Sequence, residues 1–144
     1  MAKKRTGDPW MPADAYGRSL GGFGVNLLVT DVAAAVAFAT EVLGATLVYA
    51  DPDFAVLRHG DGEWMLHADH AYDGHPLSGI ARAAEGRGAG VELRLYGCDP
   101  DRAEAAARAA GHTVLAGAAD KPHGLREAHL LDPDGYCWVP SRII

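Results

Sequence analysis

The sequence predicts an α+β domain made of two tandem β-α-β-β-β modules. Three observations carry that prediction. An apolar run of strand length, Val25-Asn26-Leu27-Leu28-Val29, is echoed about 66 residues later by Val91-Glu92-Leu93-Arg94-Leu95. Each run is followed by an aspartate able to cap a helix, Asp31 or Asp99, and each helical stretch ends at a glycine, Gly44 or Gly111. Three short strand-like segments then complete each copy. A period this long exceeds any solenoid unit and matches a module repeated within one domain.

Residues 1–21 are polar and rich in Gly, Pro and Asp. They read as an irregular arm, which Trp10, Met11, Tyr16 and Leu20 pin to the body or to a second subunit. Module 1 spans residues 22–68. Phe23 to Thr30 is its first strand, and the Asp31 carboxylate accepts a free first-turn N–H. Val32, Ala35, Val36, Ala39, Val42 and Leu43 recur at helical spacing, and Gly44 supplies the left-handed stop. Thr46 to Ala50, Phe54 to Arg58 and Glu63 to Ala68 are strands, with Asp61-Gly62 as a hairpin turn between the last two.

Residues 69–89 form a linker loop carrying His70, Tyr72, His75 and Pro76; a loop of that length is either functional or a connector. Module 2 spans residues 90–140. Val91 to Tyr96 is a strand, and Asp99 caps a helix with Pro100 at its favoured first position. Ala103 to Ala110 is helical. Thr113 to Leu115, Leu125 to Leu131 and Tyr136 to Val139 are the remaining strands, and 141–144 is a tail.

Composition excludes several classes. With 144 residues, 49% hydrophobic and 22% charged, the chain is one globular domain rather than a disordered segment. A net charge of −6 argues against a non-specific nucleic-acid binder, which needs a basic footprint. No run approaches the ~18 apolar residues of a membrane span. Lys3-Lys4-Arg5 is not followed by the apolar core of a secretory leader, so the expected setting is cytoplasmic and reducing. Cys98 and Cys137 are then expected unpaired, and no C-x-x-C motif is present.

Three segments resemble the vicinal oxygen chelate superfamily, also called the glyoxalase/bleomycin resistance/dioxygenase fold. They are Val29-Thr30-Asp31-Val32 with Ala37-Phe38 and Val42-Leu43-Gly44-Ala45; Asp120-Lys121-Pro122-His123-Gly124-Leu125-Arg126-Glu127; and Asp132-Pro133-Asp134-Gly135. The likeness covers about residues 22–140, and the second segment is similar to bleomycin-resistance-type proteins. It implies an eight-stranded, cup-shaped sheet, ligands held in the cups and a homodimer contributing residues from both subunits.

Metal-binding members of that family take His, Glu or Gln ligands from the first and fourth strand of each module. The corresponding positions here fall on Gly24 with Asn26 beside it, on Met65, between Gly90 and Glu92, and on Val139, four residues after Gly135. Glu92 is the one ordinary ligand among them, whereas a metal site that does chemistry wants about three. The expectation is no metal and no other cofactor. His67, Asp69, His70 and His75 offer a rival His/Asp cluster, and Cys137 with His67 a rival nucleophile pair.

Strand alternation places Asn26 and Leu28, Met65 and His67, Glu92, Arg94 and Tyr96, and Cys137 and Val139 on the cup faces. Asn26 and Glu92 are repeat-equivalent and can face each other. Glu92 and Arg94 either meet a ligand or pair with each other or with Arg126. Trp64 and Trp138 point the other way, toward helices or a second subunit. Tyr49, Phe54 and Tyr72 add aromatic lining, which with acidic groups suits a flat or cationic compound. Lys121-Pro122-His123-Gly124 forms a loop over one cup mouth, fixed by Arg126 and Glu127. The expected function is metal-free binding of a small molecule, an antibiotic or metabolite, without nucleic acid or membrane. The alternative is a lyase or dioxygenase-type enzyme of the same superfamily with a rebuilt site.

Overall fold

Eight strands fold into two four-stranded sheets of identical topology in a computed structural model that describes residues 3–72 and 74–144. The first sheet contains β1 (Val25–Val29), β2 (Thr46–Ala50), β3 (Phe54–His59) and β4 (Gly62–Ala68), in the order β1-β4-β3-β2. The second contains β5 (Glu92–Tyr96), β6 (Val114–Asp120), β7 (Leu125–Leu131) and β8 (Cys137–Ile143), in the order β5-β8-β7-β6. In each sheet the first and fourth strands are parallel and the other neighbours antiparallel. This is the expected pair of β-α-β-β-β modules.

The helices behave as their caps dictate. α2 (Val32–Ala37) starts at Asp31, whose side chain accepts from Ala34 N at 3.3 Å, and runs into a π-helical turn, Phe38–Val42, that stops at Gly44 (φ 70°). α4 (Pro100–Ala109) starts at Asp99, whose carboxylate accepts from the Asp101 and Arg102 amides. Two further helices lie where irregular chain was expected. α1 (Ala13–Ser19) occupies the N-terminal arm, and α3 (Ser78–Ala83) follows a 3-10 turn, Asp69–Ala71, in the linker. Both are short and have no side-chain cap at the N-terminus, so no capping signal marked them in the sequence.

Other boundaries also shift. His59 pairs with Gly62, so the hairpin loop is Gly60-Asp61, with Gly60 carrying the left-handed φ of 55°. β6 continues to Asp120 instead of ending at Leu115. Its Ala-Gly-Ala-Ala stretch has poor strand propensity, but pairing with β7 and a 2.7 Å hydrogen bond from Ala118 N to Glu104 of α4 hold it. β8 takes in Ser141 to Ile143 of the tail.

The faces carrying Leu27, Trp64 and Leu66 on one sheet and Leu95, Leu130 and Trp138 on the other share a single core with α2 and α4. Trp64 and Trp138 meet at its centre, with ring centroids 5.1 Å apart. Each therefore faces the other within the chain. The opposite faces of both sheets, the cup faces, turn away from this core.

A buried arginine locks the modules together. Arg87 grips Asp69 with two nitrogens, at 2.9 and 2.7 Å, and donates to the Leu28 carbonyl at 3.0 Å. Tyr136 donates to the same carbonyl at 2.8 Å, while Asp134 accepts from Thr30 Oγ1 at 2.9 Å. Gly135 makes this junction possible. Its φ is 93°, and a Cβ there would lie 2.9 Å from Gly86 Cα, so only glycine fits.

Candidate functional site

The cup of module 1 is built from β1, β3 and β4, whose odd–even alternation aims Asn26, Phe54, Met65 and His67 at one face. The N-terminal arm lies over this face. Between them is a cavity of about 470 Å³ lined by Trp10, Tyr16, Tyr49, Phe54, His67 and Tyr72, among others. The rings form a nearly continuous chain. Trp10 stacks on Tyr49 (5.3 Å, 16° between planes) and tilts against Tyr16 at 5.4 Å. Tyr16 meets Phe54 edge-on at 5.8 Å, Phe54 meets His67 at 4.8 Å, and His67 meets Tyr72 edge-on at 4.5 Å. Offset and edge-on geometries of this kind are the favourable ones for aromatic pairs.

The arm is held by carboxylates from the β2–β3 turn. Asp53 accepts from Lys4 N at 2.8 Å and Arg5 N at 3.0 Å, and pairs with His70 Nε2 at 2.7 Å. Burial opposes the Asp53 charge, but those two amides and His70 outweigh it and hold its pKa below the usual value. Asp51 accepts from Tyr49 OH at 2.6 Å and faces Arg5 Nε at 3.5 Å. Tyr16 donates to Glu63 at 3.1 Å; burial, then that hydrogen bond, pushes its pKa up to about 12.

At the floor, His67 Nδ1 is hydrogen-bonded to Asn26 Oδ1. A carbonyl oxygen only accepts, so Nδ1 carries the proton and Nε2 keeps its lone pair. Burial, then the nearby charge of His75, lowers the His67 pKa to about 4. The ring is thus neutral at physiological pH.

The cup of module 2 has a different chemistry. Arg94 lies between Glu92 (2.9 Å) and Glu127, and His129 and His123 add contacts to Glu92 (3.0 Å) and Glu127 (3.2 Å). Burial opposes ionisation of Glu127, but Arg94 and His123 keep its pKa low. Of the two readings open for Glu92 and Arg94, mutual pairing is the one formed. Arg126 points to the other face, where it grips Asp101 of α4 and Asp120.

Three of the residues singled out in the sequence, Asn26, Met65 and His67, come together in the covered cup. The other five, Glu92, Arg94, Tyr96, Cys137 and Val139, sit on the module 2 face, with Val139 fully buried. Asn26 and Glu92 are not equivalent. Matching Trp64 to Trp138 through the strand registers pairs Asn26 with Arg94, because Met65 faces Asn26 while Val139 faces Arg94. The raw sequence echo was two residues out of step, which keeps the face but changes the partner. His67 and Cys137 lie in different modules' cups, and burial, then Glu92, pushes the Cys137 thiol up, away from the thiolate a nucleophile needs. Cys98 and Cys137 are both free.

The family's metal-ligand positions do not fit a metal. Gly24, Met65 and Val139 offer no hard donor, Asn26 beside the first position is spent on His67, and Glu92 is tied to Arg94 and His129. Among the described residues no three His, Cys, Asp or Glu side chains gather around one point, so His67, Asp69, His70 and His75 form no metal cluster. Also among the described residues, no helix is long and apolar enough to cross a membrane.

The residues missed in the sequence are those of the covering layer. Trp10 and Tyr16 were expected to pin the arm somewhere; the structure puts them over the module 1 cup, with Asp51 and Asp53 as anchors. The available signal was an aromatic cluster in an otherwise polar arm.

Comparison with known proteins agrees with the fold. The family model described as Glyoxalase/Bleomycin resistance protein/Dioxygenase superfamily matches residues 24–139. A glyoxalase/bleomycin resistance protein/dioxygenase family enzyme from Burkholderia phytofirmans PsJN is similar at 25% identity and a TM-score of 0.65, covering 83% of this chain and 96% of that one. TioX from Micromonospora sp. ML1 is similar at 25% identity and a TM-score of 0.61, covering 86% and 97%. A glyoxalase/bleomycin resistance protein/dioxygenase from Nocardioides is similar at 25% identity and a TM-score of 0.59, covering 91% and 92%. No curated protein matches.

Proposed function

We propose that this chain, which belongs to the Glyoxalase/Bleomycin resistance protein/Dioxygenase superfamily, binds an aromatic small molecule in the module 1 cup, beneath the N-terminal arm, without a metal and without changing it. The observation that carries this reading is the aromatic cavity beneath the arm, whose floor has Met65 at one of the positions the family's metal ligands take and Asn26 beside another. Its size, about 470 Å³, and its mostly apolar wall with a few fixed polar groups are those of a small-molecule pocket. Catalysis is less well served. A general base works best with a pKa near the working pH, and His67, at about 4, is a weak one. Membership of the superfamily does not by itself fix a reaction. The kind of function is that of bleomycin-resistance proteins, sequestration by enclosure, in a cytoplasmic setting.

We extend the reading to a homodimer. Among the described residues, β1 and β5 each have an edge that no strand pairs with. A groove of about 530 Å³ runs between them, lined by Phe23, Val25, Trp64, Leu93, Leu95 and Tyr96. Phe23 is 92% exposed and Tyr96 62%. Unpaired edges beside exposed apolar side chains are docking surfaces, and a second copy would close the open sides of the cups.

The test is native mass spectrometry with metal analysis on protein purified without chelator, followed by a screen of aromatic compounds that includes antibiotics. The expected result is a dimer without stoichiometric metal that binds aromatics equally well with and without chelator. About one tightly held divalent ion per subunit, or ligand turnover restored by Mn²⁺, Ni²⁺, Zn²⁺ or Fe²⁺, overturns it in favour of a lyase or dioxygenase.

A further inference from the structure

We infer that the His67–Asn26 pair makes the module 1 cup selective for planar aromatic ligands that bear a neutral hydroxyl or N–H donor, which His67 Nε2 accepts. The inference rests on the cup-binding reading above and adds the ligand's chemistry to it.

The argument is one of donors and acceptors. Asn26 Oδ1 engages Nδ1, so Nε2 is the ring nitrogen left with a lone pair. It belongs to a side chain that lines the cavity, pressed between Phe54 and Tyr72, whose contacts hold the imidazole plane in place. Several polar groups of that wall are already engaged, while Lys3, the Asn26 amide nitrogen and the Tyr72 hydroxyl stay open to a ligand. Tyr49 OH donates to Asp51, Tyr16 OH to Glu63, and the Asp53 oxygens accept from the arm amides and His70. A fixed acceptor beside aromatic rings favours one ligand pattern: a flat ring for the faces and edges of Trp10, Tyr49 and Phe54, with one O–H or N–H aimed at Nε2. A site built to hydrogen-bond a ligand donor discriminates against the analogue lacking it, because its own polar group is then left unpaired. The low His67 pKa is consistent with an acceptor that stays neutral.

The experiment compares two probes of one shape: 2-naphthol and 2-methoxynaphthalene. Affinities are measured at pH 7 by calorimetry or ligand fluorescence on the full chain and on His67→Phe. Naphthol should bind the native chain about tenfold tighter than its methyl ether, the worth of one hydrogen bond to a fixed acceptor. In His67→Phe the two probes should bind alike. Equal binding of naphthol and ether to the native chain, or a preference that survives His67→Phe, overturns the inference while leaving cup binding intact. No binding of any probe overturns both. Imidazole ¹⁵N chemical shifts of the native chain give a second reading that does not depend on the variant folding. A bare Nε2 is expected for His67, and a protonated Nε2 sinks the proposal.

Discussion

The two cups share a topology and differ in almost everything that faces inward. Module 1 lines its cup with Phe54, Met65 and His67 and draws the N-terminal arm across it. Module 2 fills the same face with Glu92, Arg94, Glu127, His123 and His129, which hydrogen-bond to one another. What the modules retain in common is scaffold: a capping aspartate, a left-handed glycine after the helix, a parallel first–fourth strand pair and a core tryptophan on the fourth strand. The repeat thus fixes the backbone and leaves the cup faces free to diverge. One has become a largely aromatic cavity with His67 Nε2 as a fixed acceptor. The other is an ionic network in which one arginine serves two carboxylates.

The sharpest way to break this contrast is to unbalance the module 2 network. Replacing Arg94 with methionine leaves Glu127, whose side chain is 6% exposed, without its cation. Losing one partner of a buried pair costs about 3 kcal/mol. The urea midpoint should fall by the corresponding amount with little change in slope. An unchanged midpoint would mean the pair contributes nothing.

Module 1 should respond to pH instead. His67 has a folded pKa of about 4 against an ordinary 6.5, so protons favour the unfolded chain between those values. Stability is full above pH 6.5, declines as pH falls toward 4 and levels off below. The loss is on the order of 2 kcal/mol, after allowing for solvent at the partly exposed ring. His67→Phe should remove that slope, and stability curves of the two proteins from pH 7 to 4 decide it. Trp10→Ala should act on ligand more than on fold. It deletes a stacked partner of Tyr49 from the cavity wall, so affinity for 2-naphthol should drop by about 1–2 kcal/mol while the urea midpoint barely moves.

Much of the scaffold was legible because its signals are local. Asp31, Asp99 and Pro100 announce helix starts, Gly44 and Gly111 their ends, and alternation assigned Asn26, Met65, His67, Glu92, Arg94 and Val139 to their faces. What stayed hidden depends on contacts between distant segments. Nothing near Arg87 in sequence says that it joins Asp69, Leu28 and Asp134. Nothing near Trp10 says that it rests on Tyr49, or that Lys4 and Arg5 reach Asp53. The two-residue slip between Asn26 and Glu92 has a related cause: sequence echo aligns apolar runs, while register is set by the partner strand.

The smallest effect should be the most local. Asp53 holds the arm through two oxygens, one taking Lys4 N and His70, the other Arg5 N. Asparagine keeps one acceptor and puts an amide donor in place of the other, so Asp53→Asn faces one N–H against another. The cost is about 1 kcal/mol, felt by the arm rather than the core. Trypsin should then cut after Lys4 or Arg5 several-fold faster than in the native chain, with global stability nearly unchanged. Acid should imitate the variant. The Asp53 pKa is lowered by folding, so its contribution is complete above the ordinary value of 3.8 and disappears as pH falls through the folded value. An arm equally resistant in both proteins would show that the ring contacts of Trp10 and Tyr16, with the Tyr16–Glu63 and Arg5–Asp51 contacts, hold it without the Asp53 carboxylate.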